Sequence, residues 1–171
     1  MARAPVAAAL LLAAGCGTIP SGAPHAIAEL RPTRGSQASG TVHFYELRDK
    51  VRVIARVAGL VPGREHGFHI HEAGDCGSGD GMSARGHFDP RGQPHGHFSA
   101  VQRHAGDLPA LRADAGGVGA LEIDLDVISV TPGAASIVGR GLIVHADPDD
   151  YRTQPAGNAG ARIACAVIRR S

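Results

Sequence analysis

Seven of the ten histidines fall between His66 and His104, and two of them, His69 and His71, alternate with Phe68 and Ile70. A β-strand sends successive side chains to opposite faces. A strand here therefore directs Phe68 and Ile70 into a core and both imidazoles to the other side. Imidazole is the commonest protein metal ligand, so the pair is half of a metal site. Candidates for the other half follow in His87, His95, His97 and His104, in Asp107 three residues later, and in His145 at the end of the apolar run Leu142-Ile143-Val144. Seven or more N/O ligands without a thiolate exceed what one tetrahedral ion uses, so two ions are indicated. Four imidazoles suit tetragonal Cu(II), and three with a carboxylate suit tetrahedral Zn(II). Spacing alone leaves the division of the ligands open.

The elements that must hold these residues read as short strands. Alternating runs occupy 26–30, 40–47, 51–60, 66–72, 108–113, 119–125, 136–145 and 162–168, and helical periodicity is hard to find. Arg48-Asp49-Lys50 can close a hairpin, Val61-Pro62-Gly63 is a breaker, and Ala115-Gly116-Gly117 tolerates positive φ. Eight such strands, in a chain with 24 Gly and 11 Pro, predict an all-β antiparallel sandwich or barrel. Two stretches do not read as strand: 74–107, rich in Gly and His, and 147–160, rich in Asp, Pro and Gly. Loops this long in a compact domain are functional or disordered, and metal ligation is a reason for the first to be ordered.

With 171 residues and a net charge of +1, the chain is one domain with a sizeable core and not a basic nucleic-acid binder. Its start is set apart from the fold. Met1-Ala2-Arg3 is followed by an apolar run to Ala14, too short to span a bilayer, and then by Gly15-Cys16. This resembles a bacterial lipoprotein signal, with cleavage before Cys16 and a lipid on it; an ordinary signal peptide is the alternative. Either way the protein is exported. The expected division is a signal peptide over 1–15, lipidated Cys16 and a tether over 16–25, and the domain over 26–171. Cys76 and Cys165 remain. In an exported chain two cysteines are most simply a disulfide, and no Cys-x-x-Cys favours metal ligation instead.

Across nearly the whole mature chain the residues resemble the copper–zinc superoxide dismutases. The resemblance rests on His66-Gly67-Phe68-His69-Ile70-His71-Glu72, Gly86-His87-Phe88-Asp89-Pro90, His95-Gly96 and His104-Ala105-Gly106-Asp107-Leu108. It continues in Val138-Gly139-Arg140-Gly141-Leu142-Ile143-Val144-His145 and Gly157-Asn158-Ala159-Gly160-Ala161-Arg162-Ile163-Ala164-Cys165. Each piece alone is weak, but all of them in order are highly specific.

The resemblance implies an eight-stranded Greek-key antiparallel β-barrel, an immunoglobulin-like sandwich with long metal-binding loops. It implies copper on His69, His71, His87 and His145, and zinc on His87, His95, His104 and Asp107, with His87 bridging both. Asp149 falls where the family joins a copper histidine to a zinc histidine, here His69 and His95. Cys76 and Cys165 match the family disulfide, and Arg162 matches the arginine that guides the anion beside the copper. The activity implied is dismutation of superoxide to oxygen and hydrogen peroxide, with His87 taking up a proton, in defence of the periplasm or cell envelope. His66 matches a structural position, and His25 and His43 are expected at the surface.

Two departures stand out. His97 follows His95-Gly96 where the family usually turns through Gly-Pro, so it is either a solvated side chain or a competing zinc ligand. The segment from Asp149 to Pro155 lacks the fuller charged series of eukaryotic members. A metal-storage module and a copper-only enzyme are the competing readings, opposed respectively by Arg162 and by the complete zinc set. Monomer or homodimer stays open.

Overall fold

The computed structural model describes residues 25–171. The expected signal peptide, Cys16 and all but the last residue of the tether lie outside them.

Alternation builds the longest strands. β1 (Ala26–Pro32) buries Ala26, Ala28 and Leu30, and β3 (Val51–Ala58) buries Val51, Val53, Ala55 and Val57 while its arginines turn outward. β2 (Ser39–Glu46) lies antiparallel between them. On the other side of β3 runs β7 (Gly119–Leu125), where Arg52 reaches Asp124 through two hydrogen bonds of 2.6 and 2.9 Å. The remaining elements are β4 (Glu65–His66), β5 (Phe68–His71), β6 (Leu111–Arg112), β8 (Gly141–His145), β9 (Arg162–Val167) and β10 (Arg169–Arg170).

The strand order is β5-β8-β9-β1-β2-β3-β7, with β10 continuing alongside β1. The seam between β5 and β7 is spanned by the β4–β6 pair and by the bridge between Ala113 and Gly119. With β4–β5 and β9–β10 each taken as one interrupted strand, eight antiparallel strands enclose the core, and the β3–β4 and β7–β8 connections cross over it in Greek-key fashion. Phe44, Phe68, Ile70, Leu108, Leu111 and Leu142 are fully buried there.

Two expected strands are shorter than their apolar patterns. Of 136–145 only Gly141–His145 forms a strand, because Gly139 turns the chain at φ 82° and Ile137 is core material supplied by a loop. Of 108–113 only Leu111–Arg112 forms a strand, with Ala113 adding an isolated bridge to Gly119, since Pro109 has no N–H and Ala110 donates its own to Tyr151 Oη. Apolar periodicity reports burial, and loops that plug a barrel end satisfy it as well as strands do.

The decisive feature for the site is the free edge of β5. Segment 74–107 contains only one 3-10 turn, Met82–Ala84, yet it is ordered along that edge. Ile70 N–H donates to Gly106 O (2.9 Å), Phe88 N–H to Ile70 O (2.8 Å) and Glu72 N–H to Gly86 O (2.9 Å). A Cβ on Gly106 would lie 2.2 Å from Ile70 O, so only glycine permits this approach. All four residues of β5 are consequently buried. The same contacts set His87 opposite His71 and Asp107 opposite His69.

Candidate metal centre

The face of β5 opposite the core carries His69 and His71, as the alternation predicts. His145, the last residue of the neighbouring strand β8, and His87, on the loop paired to the far edge, join them. Their ring atoms gather closely enough to hold one ion. The rings of His69 and His87 stack at 4.0 Å, with His145 4.9 Å from His69 and His71 5.0 Å from His87.

One nitrogen of each ring is buried without a hydrogen-bond partner: Nδ1 of His69 and Nε2 of His71, His87 and His145. The other nitrogen of each is engaged. His69 Nε2 donates to Asp149 (2.7 Å), His71 Nδ1 to Arg85 O (2.9 Å), His87 Nδ1 to Asp107 (2.9 Å) and His145 Nδ1 to Gly160 O (3.3 Å). Each ring is therefore oriented from behind, as the outer partners of metal histidines orient them. Four desolvated lone pairs aimed at one point are costly to leave unpaired, and a cation satisfies all four.

His87, His95, His104 and Asp107 form a second group. The Nδ1 atoms of all three imidazoles converge on Asp107 Oδ1, at 2.9, 3.0 and 3.3 Å. Asp107 Oδ2 accepts the N–H groups of Gly96 and His104, both at 3.0 Å, which fixes the carboxylate from its own loop. Three nitrogens and one oxygen are a tetrahedral zinc donor set. His87 belongs to both groups through opposite nitrogens, so its ring is shared.

Asp149 links the two. One oxygen accepts from His69 Nε2 (2.7 Å) and the other from His95 Nε2 (2.9 Å). Gly157 makes room for this bridge: a Cβ there would lie 1.8 Å from Asp149 Oδ1.

Burial is the main force on the protonation of the first group. It pushes His87 down to about 4 and His145 to about 3, and it also lowers His69 and His71. The rings are thus neutral near pH 7, the form that binds metal. His95 behaves oppositely. Burial works against its protonation, but the hydrogen bonds and charges of Asp107 and Asp149 outweigh it and raise the ring to about 9. Both carboxylates are held below their ordinary range, since hydrogen bonds from the surrounding imidazoles overcome the cost of burial.

Arg162 reaches this cluster through a β-bulge. Val144 faces Ala164 but His145 faces Arg162, so Ile163 is an extra residue on β9. In an unbroken register Ile163 would stand beside His145. The guanidinium, half-buried, donates to Gly81 O and Arg85 O, each at 2.6 Å. Arg85 O also accepts from His71, so one carbonyl ties the cation to a histidine of the first group.

Comparison with known proteins agrees with this geometry. The profile of the copper/zinc superoxide dismutases matches residues 38–168. The chain belongs to the copper/zinc superoxide dismutase family. A Cu-Zn superoxide dismutase of Aquifex aeolicus is 38% identical over 83% of this chain and 85% of its own. That of Paramecium bursaria Chlorella virus 1 is 43% identical over 75% and 71%. An extracellular Cu-Zn superoxide dismutase of Haemonchus contortus is 39% identical over 75% and 72%. The crystal structure of the clock protein EA4 superimposes with a TM-score of 0.79 at 34% identity, covering 91% of this chain and all of the other. As a copper–zinc superoxide dismutase the protein is an oxidoreductase that dismutates superoxide, with copper and zinc as its metals.

Cys76 and Cys165 are joined, with Cα atoms 5.9 Å apart. The bond fastens the loop that carries Gly81 and Arg85 to β9, three residues from Arg162. His66 is fully buried and donates through Nδ1 to His145 O (2.9 Å), a structural role that also steadies the end of β8. His25 is exposed and accepts from Glu46 N–H, and His43 is half-buried on β2. His97 stands outside both groups among the described residues. It is exposed, hydrogen-bonded to Ser99, with its ring 4.7 Å from that of Tyr151. Sequence reasoning did not single out the carbonyls of Gly81 and Arg85. Backbone acceptors carry no residue-type signal, although the positive φ of Arg85 (64°) marks the unusual turn they occupy.

Proposed function

We propose that the four orphaned nitrogens of His69, His71, His87 and His145 hold the copper, and that His87, His95, His104 and Asp107 hold the zinc. The observation carrying this is the sharing of one ring. The partnerless Nε2 of His87 belongs to the four-nitrogen set suited to copper, while its Nδ1 belongs to the N₃O set suited to zinc.

Copper held by these four histidines would supply the one-electron redox chemistry that dismutation needs. Arg162 keeps its charge at any physiological pH and donates in a fixed fork. Clamped by two carbonyls, it attracts and orients the anion beside His71 and His145. His87 can take a proton at Nε2 while Nδ1 stays within the zinc set, and can deliver it to the reduced oxygen species leaving as hydrogen peroxide. Asp149 keeps His69 and His95 aligned throughout. Two superoxide ions and two protons thus yield one oxygen and one hydrogen peroxide.

The wider setting belongs to the same proposal. Residues 1–15 act as an export signal, Cys16 carries the lipid, and residues 16–25 tether the domain to a membrane of the cell envelope, where it removes superoxide. Support comes from the composition of the leader, from the disulfide, which suits an oxidising compartment, and from an extracellular relative. Metal analysis combined with superoxide turnover tests the reading: about one copper and one zinc per chain with salt-sensitive dismutation is expected. A fully loaded protein without turnover would leave only a metal-storage role.

A further inference from the structure

Segment 147–160, rich in Asp, Pro and Gly, holds onto the metal centre in a way its composition does not announce. The Gln154 carboxamide accepts the His95 N–H through Oε1 (2.9 Å) and donates through Nε2 to the His95 carbonyl (2.9 Å). One side chain therefore closes both peptide groups of a single residue, as a neighbouring β-strand would. No strand is available to do so, because His95 lies in the irregular stretch after Pro94 and before Gly96.

The His95 ring leaves little tolerance for error. Its Nδ1 lies 3.0 Å from Asp107 and its Nε2 2.9 Å from Asp149, so both edges are fixed by carboxylates from different loops. Holding such a ring requires a backbone placed to within about half an ångström. Gln154 is itself anchored. Asp150 Oδ1 accepts the N–H groups of Arg152 and Thr153, and Gly157 N–H donates to Thr153 O (2.7 Å). The same turn carries Tyr151, whose N–H donates to Asp149 Oδ1 (2.7 Å) and whose ring meets His97.

We propose that Gln154 is a positioning residue of the metal centre: its paired hydrogen bonds to the His95 backbone hold that ring between Asp107 and Asp149. The turn over 149–157 thereby aligns a zinc ligand as well as the bridge to His69. The contact of Tyr151 with His97 clasps the two loops at a second point, which assigns His97 a packing role. This inference rests on the proposed zinc set.

The test uses the full chain, disulfide intact and loaded with copper and zinc, as wild type, Gln154→Ala, Gln154→Glu and His95→Ala. Zinc loss to a chelator, the Cu(II) electron paramagnetic resonance spectrum and turnover are measured. Gln154→Ala is expected to lose zinc about tenfold faster or more while retaining copper, with its copper spectrum shifted toward that of zinc-depleted wild type. Gln154→Glu has the same shape but opposes the His95 carbonyl with a second acceptor, so it is expected to lose zinc faster as well. A side chain that merely filled space would leave Gln154→Glu like wild type, and that result overturns the proposal. Wild-type zinc retention in Gln154→Ala overturns it too. If His95→Ala itself kept zinc, the zinc set would be wrong; if His95→Ala lost zinc while both Gln154 variants kept it, only the role of Gln154 would fall.

Discussion

Asp107 receives three imidazoles on one oxygen and is the carboxylate member of the second group. Removing it should cost more than removing any single histidine. Asp107→Ala is expected to release zinc while copper stays, read by metal analysis after dialysis; unchanged zinc would reopen the question of His97 as a ligand. In the proposed mechanism Arg162 acts on the substrate and not on the metals. Arg162→Ala should keep both ions but lower turnover about tenfold or more and flatten its salt dependence, and metal loss in that variant would contradict the assignment. Gly157→Ala should separate Asp149 from His95, because the added methyl occupies the place of the carboxylate oxygen. Faster zinc loss with an intact fold by circular dichroism is the expected result. Most of these side chains were legible in the sequence, since His, Asp and Arg carry recognisable chemistry. Gln154 was not, because an exposed glutamine in a loop has no pattern to mark it.

Among elements, β5 and the loop laid along its edge do the positioning. Alternation in 66–72 separates the core residues Phe68 and Ile70 from the histidine pair, yet it suggests one exposed face, whereas both faces are buried. The difference arises because the loop pairs with the strand through Gly106 and Phe88, a long-range contact invisible to local periodicity. The disulfide holds the other part of this loop, closing 89 residues of separation. Replacing Cys76 and Cys165 with serine should cost about 2–5 kcal/mol. It should also reduce turnover at full metal content, because the carbonyls that clamp Arg162 would no longer be fixed to β9. Thermal unfolding and turnover measured on the same samples separate the two effects.

For the molecule as a whole, the metal-free protein should be most stable near pH 6.5. His87 and His145 have folded values near 4 and 3, below their unfolded value near 6.5, so the unfolded chain binds more protons as the pH falls through that window. Their stabilising effect is present above pH 6.5 and is lost toward pH 4. His95 has the opposite sign. Raised to about 9, it contributes fully below pH 6.5 and progressively less as the pH rises to 9. Denaturant unfolding of metal-free protein from pH 4 to 9 should give a maximum between these limbs; a flat profile would mean that the histidine cluster opens without metal.

The sequence by itself determined the class of fold, the two-metal chemistry and, through ordered motifs, the family. Those depend on residue types and on periods of two, which are local properties of the chain. Only the tertiary structure decided which nitrogen of each histidine is free, that a bulge sets Arg162 against His145, and that Gln154 grips the backbone of His95. Such facts depend on the direction of side chains and carbonyls brought together from distant parts of the chain, and no local pattern encodes direction.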